Sequence, residues 1–332
     1  MSTIETTRST YHDWKAKLSA ELKGKDLKSY DYVWDGVLIS PFEERKGIQI
    51  NFIPKNKKGW LIGARCELNN ESILHALQFG AEIISIESTS KIIKFPSCFK
   101  GIRLDWISLE LCTNDISNVK NWYAYLKKQN SLHTNGVVIT AFDYQFDLYS
   151  EYSTLLPNYK LLSFDCAAGD TATDIANKFT FLIKQVERLA GTDTIHRILN
   201  NIIIRFTPGN DLVLTISMIR AIRLIWTHIL KSFKQDKFIP ITIHSYIKNQ
   251  GIKPTENMIL STAASIACVT GDSDALYIEP PDPLNQHKAW QLKLQHIMKE
   301  ESQLDKVENP VAGAYIIERL STRIAERIWE KI

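Results

Sequence analysis

The sequence lacks the features that mark secreted and membrane proteins. Its five cysteines, at positions 66, 98, 112, 166 and 268, are odd in number, lie far apart and include no C-x-x-C. Neither a disulfide framework nor a structural zinc site is therefore expected. No apolar run approaches the roughly 18 residues of a membrane span, and the N-terminus has no basic stretch followed by an apolar one. We expect a cytoplasmic protein with reduced thiols.

An excess of charge of either sign is also lacking. Forty Lys and Arg residues face 37 Asp and Glu residues, which leaves a net charge of +3, and the charges are scattered along the chain. Nucleic-acid-binding proteins normally carry a clustered basic face, so neither nucleic acid nor a membrane is expected as a partner. No G-x-G-x-x-G follows an apolar run and no G-x-x-x-x-G-K-[ST] occurs, so the common nucleotide-binding loops are missing.

What the sequence does contain, from about residue 59 onward, is a regular alternation of short apolar runs and segments of helical period. The runs are rich in Ile, Leu and Val and predict buried parallel strands. Eight strands alternating with helices predict an α/β fold, a (β/α)8 TIM barrel, with an open doubly wound sheet as the alternative. The weakest gap follows the fourth run, where residues 149–156 offer barely two helical turns. The predicted strands are 60–66, 83–87, 106–111, 137–141, 161–165, 202–206, 239–244 and 275–278.

The N-terminal residues differ from this pattern. Apolar residues recur every four positions from Trp14 to Leu22, which predicts a short amphipathic helix, and an extended apolar segment around Trp34 follows. We divide the chain into an N-terminal arm, residues 1–45, and a barrel with C-terminal helices, residues 46–332. The pattern leaves open whether the arm packs against its own barrel or against another chain.

Three later segments and the arm carry a resemblance to a known family. Residues 309–321, N-P-V-A-G-A-Y-I-I-E-R-L-S, resemble the D-P-x-x-G-S-Y-Y-x-E-x-L-T segment that ends the barrel domain of methylmalonyl-CoA mutases. Residues 219–226, I-R-A-I-R-L-I-W, are similar to that family's L-R-A-A-R-x-L-W helix, and residues 169–176 are similar to its A-G-A-T-A segment. The arm, with Trp14, the run L-K-G-K-D at residues 22–26, Trp34, Gly36 and Pro41, resembles the start of the family's small (beta) subunits. Because the matches follow in the family's order, the chain is identified as a member, specifically as a small-subunit barrel domain.

The resemblance implies a barrel that encloses an acyl-CoA beside a cobalamin-binding domain, where a radical rearrangement interconverts methylmalonyl-CoA and succinyl-CoA. None of the eight histidines has an Asp two residues before it, so the family's D-x-H-x-x-G cobalt-ligand motif is missing and no cobalamin-binding domain is expected. The family's active-site His falls on Asp165, and an ionised Asp cannot donate a hydrogen bond. Its Q-S-L-H-T-N segment falls on residues 274–279, where Asp274 and Glu279 would repel CoA phosphates. We therefore expect no catalytic residue, bound cofactor or metal site in this chain.

The leading hypothesis is a non-catalytic small subunit, or the barrel domain of one. It would form a heterodimer with a large (alpha) mutase subunit that carries adenosylcobalamin. Aromatic and apolar side chains of the arm are the candidates for the partner interface, because such residues commonly dominate interface energy. These candidates are Trp14, Leu22 and Trp34.

The alternative hypothesis is an independent barrel protein with a rebuilt site at the C-terminal ends of its strands. Such a site would bind an acyl-CoA or perform unrelated hydrolase or lyase chemistry with paired acid and base groups. The candidates at this barrel mouth are Asp165, Arg205, His244 and Glu279. A homodimer of the isolated chain is compatible with either hypothesis.

Overall fold

The main body of the protein is a parallel β-barrel. A computed structural model describes residues 10–40, 50, 58–88, 92–235, 237–281 and 289–332. The first two strands pair antiparallel outside the barrel, and the others pair parallel within it. The strands are β1 (Tyr32–Trp34), β2 (Val37–Ile39), β3 (Leu61–Cys66), β4 (Ile83–Ser88), β5 (Ser108–Thr113), β6 (Gly136–Ile139), β7 (Tyr159–Lys160), β8 (Leu162–Ala167), β9 (Ile202–Thr207), β10 (Thr242–Ile247) and β11 (Ala275–Ile278).

The order of the strands closes the barrel. Hydrogen-bonded neighbours follow the order β7-β6-β5-β4-β3-β11-β10-β9-β8. The two strands at the ends of this order, β7 and β8, are separated in the chain by Leu161 alone, so together they form the fifth barrel strand and join the two edges. The (β/α)8 prediction is therefore confirmed, and each predicted strand is present with its ends shifted by up to three residues.

Helices cover the outside of the barrel, with at least one after each barrel strand. The helix after β6 is longer and earlier than the predicted 149–156, and the short helices α3 and α7 were not predicted. The helices are α1 (Tyr11–Glu21), α2 (Asn70–Gln78), α3 (Phe95–Cys98), α4 (Ile116–Lys128), α5 (Phe142–Tyr152), α6 (Ala172–Leu189), α7 (Ile195–Asn200), α8 (Leu212–Ser232), α9 (Pro254–Thr270), α10 (Trp290–His296, continuing as a π-helix over Ile297–Glu301) and α11 (Tyr315–Trp329).

Helix α8 is the most deeply buried of these helices. By length and apolarity it could cross a membrane, but 67% of its most apolar window is buried inside the protein, as in a core helix. Its Arg223 donates to the Ile241 carbonyl at 2.8 Å and to the Asp274 carboxylate at 2.9 Å. Its Trp226 donates to the Ile239 carbonyl at 2.6 Å. These side chains bind the residues just before β10 and β11. Arg223 and Trp226 of the 219–226 segment therefore have a packing role.

A buried ion pair joins α8 to the segment before and within α11. Arg220 lies 2.9 Å from the Glu318 carboxylate, with side-chain exposures of 3% and 0%, and it also donates to the Asn309 side chain. The Gly313 amide donates to Glu318 at 3.1 Å, with a φ of +79° that favours glycine. The mutase-like segments 219–226 and 309–321 are thus bound to each other.

The N-terminal hairpin packs against its own barrel. Its turn residue Asp35 accepts a hydrogen bond from the Ala172 amide at 2.9 Å, at the N-terminus of α6 where a carboxylate is favourable. Val37 and Ile39 are buried in the same hydrophobic core as the barrel strands. The sequence pattern left open whether the arm packs against its own barrel, and the hairpin of the arm does so. The proposed boundary at residue 45 lies outside the described residues.

Candidate functional site

The C-terminal ends of the barrel strands form an open mouth with two cavities of about 700 and 340 Å³. Glu87, at the end of β4, lines both of them. Carboxylates outnumber guanidinium groups in the combined lining, so the mouth favours cations over anions. The charged lining residues are Arg65, Glu67, Glu71, Glu87, Asp165, Arg205 and Glu279.

Asp165 and Arg205 lie at the mouth and form an ion pair with each other. They are register partners on β8 and β9, and Arg205 Nε lies 3.1 Å from Asp165 Oδ1. The Asp165 side chain is 70% exposed, so it is an accessible carboxylate. The guanidinium of Arg205 also lies over the Tyr246 ring, 5.1 Å from its centroid. The pair is an ordinary surface contact of neighbouring strands.

Glu279 also lies at the mouth, in an ion-pair group that the sequence did not predict. Arg65, on β3, contacts the Glu279 carboxylate and lies 2.8 Å from that of Glu87. The second oxygen of Glu279 accepts from the Asn249 amide at 2.9 Å. Glu279 is thereby held by two partners and is poorly suited to act as a mobile general acid or base.

His244 does not lie at the mouth, so this prediction was wrong. The predicted strand 239–244 would end at this histidine, whereas β10 spans Thr242–Ile247 and places it third. The side chain is 3% exposed inside the barrel, and it lines a cavity at the opposite, N-terminal end of the strands. Asp274, expected beside Glu279, is likewise at the N-terminal end, because it immediately precedes β11 and contacts Arg223.

A buried carboxylate, Glu110 on β5, occupies the barrel axis. It accepts hydrogen bonds from Ser85 Oγ at 2.8 Å and from the Tyr246 hydroxyl, and His244 Nδ1 lies at 3.1 Å. Burial alone would raise the pKa of Glu110, but the hydrogen bond and charge of His244, with the bonds from Tyr246 and Ser85, outweigh it and lower the pKa. The carboxylate is therefore ionised at neutral pH and satisfied by its neighbours.

Two stacked tyrosines fill the space beside Glu110. The Tyr246 and Tyr277 rings lie 4.7 Å apart with an interplanar angle of 5°. A Cβ on Gly63 would lie 2.6 Å from the Tyr277 ring, so the glycine makes room for it. Tyr277 is also the position on which the His of the family's Q-S-L-H-T-N segment falls. Burial and the Glu110 charge raise the pKa of both tyrosines, which stay protonated.

Glu110 was not predicted from the sequence, although the sequence contains a signal for it. It is the lone charged residue in the apolar run of β5, and such a residue inside a buried strand requires partners. Those partners, His244 and Tyr246, lie 134 and 136 residues further along the chain. The neighbouring Cys112 is not a good nucleophile either, because burial and the Glu110 charge raise the pKa of its thiol.

The three candidates for a partner interface lie in different environments. Trp34 is 9% exposed and belongs to this chain's own core, so the expectation that it faces a partner was wrong. Leu22 is half-buried. Trp14 is 40% exposed on α1. On the outer face of the hairpin, the register partners Val33 and Leu38 are 63% and 50% exposed.

The fold and the site together define a (β/α)8 barrel whose axis is filled by its own side chains. A profile of the methylmalonyl-CoA mutase family matches residues 167–332, which is half of the chain. The chain belongs to the methylmalonyl-CoA mutase family. The matched half contains both the Arg220–Glu318 pair and the Tyr246–Tyr277 stack.

Curated relatives agree with this assignment. The methylmalonyl-CoA mutase of Rhizobium meliloti is 25% identical over 134 residues, which is 37% of this chain and 19% of that protein. The methylmalonyl-CoA mutase small subunit of Streptomyces virginiae is 27% identical over 138 residues, 38% of this chain and 22% of that protein. The matching part of the chain thus spans about a fifth of the length of these relatives.

The solved structures that match this chain are only distantly similar to it. Dihydropteroate synthase of Xanthomonas albilineans has a TM-score of 0.38 and 10% identity, over 73% of this chain and 93% of that one. The tryptophan synthase alpha subunit of Pyrococcus furiosus has a TM-score of 0.32 and 10% identity, over 83% and 99%. Neither bears on function, and the fold rests on the strand order described above.

Proposed function

We propose that this chain is a non-catalytic small (beta) subunit, or the barrel domain of one, in a methylmalonyl-CoA mutase-type enzyme. In this proposal it supports a cobalamin-dependent large subunit in the cytoplasm. The observation that carries the proposal is the filled barrel axis. Glu110, His244, Tyr246 and Tyr277 are all buried there and contact one another, so an acyl-CoA chain could not pass without displacing them.

The charge of the mouth lining also supports the proposal. Its lining carries five carboxylates and two guanidinium groups, and both guanidinium groups already have carboxylate partners. The phosphates of CoA are strongly anionic, so this surface would disfavour them. Asp165 cannot replace the family's histidine as a donor to a thioester carbonyl. The residues present therefore do not fit an acyl-CoA along the axis.

The residues do not fit cobalamin either. The family's cobalt ligand is a His in a D-x-H-x-x-G motif, which none of the eight histidines matches. His244, buried in the barrel, holds Glu110 through Nδ1. His296 is bound to the Phe79 carbonyl at 2.9 Å. We therefore assign no catalytic step to this chain, and adenosylcobalamin belongs to the proposed partner.

The proposed contact surface is the outer face of the arm. Val33 and Leu38 are large apolar side chains exposed on the outer face of the hairpin, and Trp14 on α1 is 40% exposed. Exposed apolar patches commonly mark interaction sites. The inner face of the hairpin is fixed on α6 and α11 through Asp35, whose carbonyl accepts from Arg327 Nε at 3.3 Å. The barrel thus holds the hairpin by its inner face, while Val33 and Leu38 on the outer face are 63% and 50% exposed.

The proposal is tested by light scattering on the chain mixed with the cobalamin-dependent large subunit from the same source. We expect a one-to-one complex at micromolar concentration, which the Val33→Asp/Leu38→Asp double variant weakens about tenfold or more. Ile259→Asp is the matched control, because Ile259 is 70% exposed and belongs to α9, not to the arm. Absence of any complex with the unaltered chain would refute the proposal.

A further inference from the structure

A polar cavity of about 260 Å³, which the proposed function does not use, lies at the N-terminal ends of β6, β7 and β9. We call it the rim cavity. The C-terminal end of α5 and the short helix α7 form its outer wall. Its lining includes four amide side chains and two charged ones, which are Asn135, Asn158, Asn200, Asn201, Lys160 and Arg197.

Both charged residues in this lining are cations. Lys160 comes from β7 and Arg197 from α7, and among the described residues no carboxylate lines the rim cavity. Asp193, outside the lining, accepts from Arg197 Nη1 at 3.2 Å and from the Tyr149 hydroxyl at 2.9 Å. It offsets the charge of the arginine but not that of the lysine. The rim cavity therefore carries an excess of positive charge and favours an anion.

Lys160 has hydrogen-bonding capacity left for a ligand. Its ammonium group carries three donors, and the Asn200 carbonyl accepts from it at 2.5 Å. In the part of the chain that the structure describes, Lys160 forms no ion pair. Burial lowers its pKa to about 8 because desolvation disfavours the charged form, although the Asp274 charge opposes the shift. An anion in the rim cavity would stabilise the charged amine.

A buried hydroxyl also faces the rim cavity. Ser153, which caps the C-terminus of α5, lines the cavity and is 7% exposed. Its Oγ forms no hydrogen bond among the described residues, yet it is not one of the side-chain atoms that are shut off from solvent. The remaining accessible surface of this hydroxyl therefore opens into the cavity, where it can donate to a ligand.

Further donors come from the other walls. Asn135, just before β6, and Asn200, at the end of α7, are exposed, and their side-chain amides form no hydrogen bond within the described ranges. Arg197 Nη2 has one long contact, 3.4 Å from the Ser153 carbonyl. Donors thus reach the rim cavity from β7, from α5, from α7 and from the segment before β6.

This arrangement of donors selects the kind of anion. A tetrahedral oxyanion presents oxygen atoms in four directions, whereas a carboxylate presents two in one plane. Donors that come from four separate elements match the tetrahedral shape, and lysine and arginine are the usual counter-charges of such anions. An ester group on one oxygen would take the place of a donor, so the unesterified anion fits best.

We infer that the rim cavity binds a free tetrahedral oxyanion, phosphate or sulfate. Lys160 and Arg197 supply the counter-charges, and Ser153 Oγ and the amides of Asn135 and Asn200 donate further hydrogen bonds. The site lies beside the barrel axis and does not depend on a partner subunit.

The test is calorimetric titration of the full chain with inorganic phosphate and, separately, with sulfate. Each anion is added to about 10 mM at about pH 7.5 and constant ionic strength, so that screening of surface charges does not change. We expect saturable binding of one anion per chain with a dissociation constant of about 1 mM or below. Acetate should bind about tenfold more weakly, because it presents two oxygens instead of four.

Variants assign the binding to the rim cavity. Lys160→Met keeps the aliphatic stem and should weaken binding about tenfold or more, since hydrogen bonds between charged groups are strong. Lys128→Met is the matched control, because Lys128 is exposed on α4 and does not line the cavity, and it should leave the affinity unchanged. Asn200→Ala removes an exposed amide with no other hydrogen bond and should weaken binding about threefold without affecting folding.

Three outcomes would overturn the inference. The first is the absence of saturable heat with both tetrahedral anions. The second is binding of acetate as tight as that of phosphate and sulfate. The third is a loss of affinity in Lys128→Met as large as that in Lys160→Met, or unchanged affinity in both Lys160→Met and Asn200→Ala.

Discussion

Two buried charge networks in this protein have similar chemistry and opposite consequences. The Arg220–Glu318 pair lies outside the barrel between α8 and α11, where it fixes helices and the 309–321 segment. The Glu110–His244–Tyr246 network lies on the barrel axis, where it occupies the space that the family resemblance assigns to an acyl-CoA. The first network holds the family fold together. The second fills the barrel axis with side chains of this chain.

The largest expected effect comes from breaking the outer network. Glu318→Ala leaves Arg220 buried without its carboxylate, and breaking such a pair typically costs about 3–5 kcal/mol of unfolding free energy. Urea unfolding measures this cost. Glu326→Ala, at an exposed position of the same helix, should change stability by less than about 0.5 kcal/mol. Equal losses in the two variants would contradict the structural role of the pair.

Removing the charge of the axial network should have a smaller, pH-dependent effect. The pKa of Glu110 is lowered in the folded protein from its ordinary value of 4.5, so the carboxylate stabilises the fold above that pH. This contribution is lost as pH falls through the folded-state pKa. Glu110→Gln should cost about 3 kcal/mol at pH 7, and the difference from the unaltered chain should shrink toward pH 3. A constant difference from pH 7 to 3 would refute the assignment.

The two stacked tyrosines provide a matched comparison inside the axial network. The Tyr246 hydroxyl donates to Glu110. The Tyr277 hydroxyl faces the same charge but forms no hydrogen bond of acceptable geometry among the described residues. Tyr246→Phe should therefore cost about 1.5–3 kcal/mol, whereas Tyr277→Phe should be nearly neutral or stabilising. Chemical denaturation of both variants measures the two losses of unfolding free energy. A larger loss for Tyr277→Phe than for Tyr246→Phe would contradict the network.

The smallest expected effect belongs to the ion pair at the mouth. Asp165→Asn removes an exposed partner of Arg205, and such surface pairs contribute about 0–1 kcal/mol. The melting temperature should barely change, and the difference should vanish in about 1 M salt. A loss comparable to that of Glu318→Ala would mean that the mouth is a structural centre after all.

The two networks also differ in how far the sequence predicts them. The outer network lies in segments with a strong family pattern, and the alternation of apolar runs and helical segments predicts the barrel around it. Prediction of the axial network, by contrast, requires the exact register of each barrel strand. A three-residue error in the position of β10 placed His244 at the wrong end of the barrel. Two of the partners of Glu110, His244 and Tyr246, come from a strand more than a hundred residues away. The orientation of Trp34 was equally open, since an apolar hairpin has two faces and periodicity does not say which one the barrel covers.

The most direct test of the central claim is calorimetric titration of the isolated chain with methylmalonyl-CoA and succinyl-CoA, each to about 1 mM, with thermal unfolding in parallel. A ligand at 100 times its dissociation constant would add about 2.7 kcal/mol of stability. The filled axis predicts no saturable heat and no rise in melting temperature with either thioester. Saturable binding of one thioester per chain would show that the axis opens, and would contradict the account.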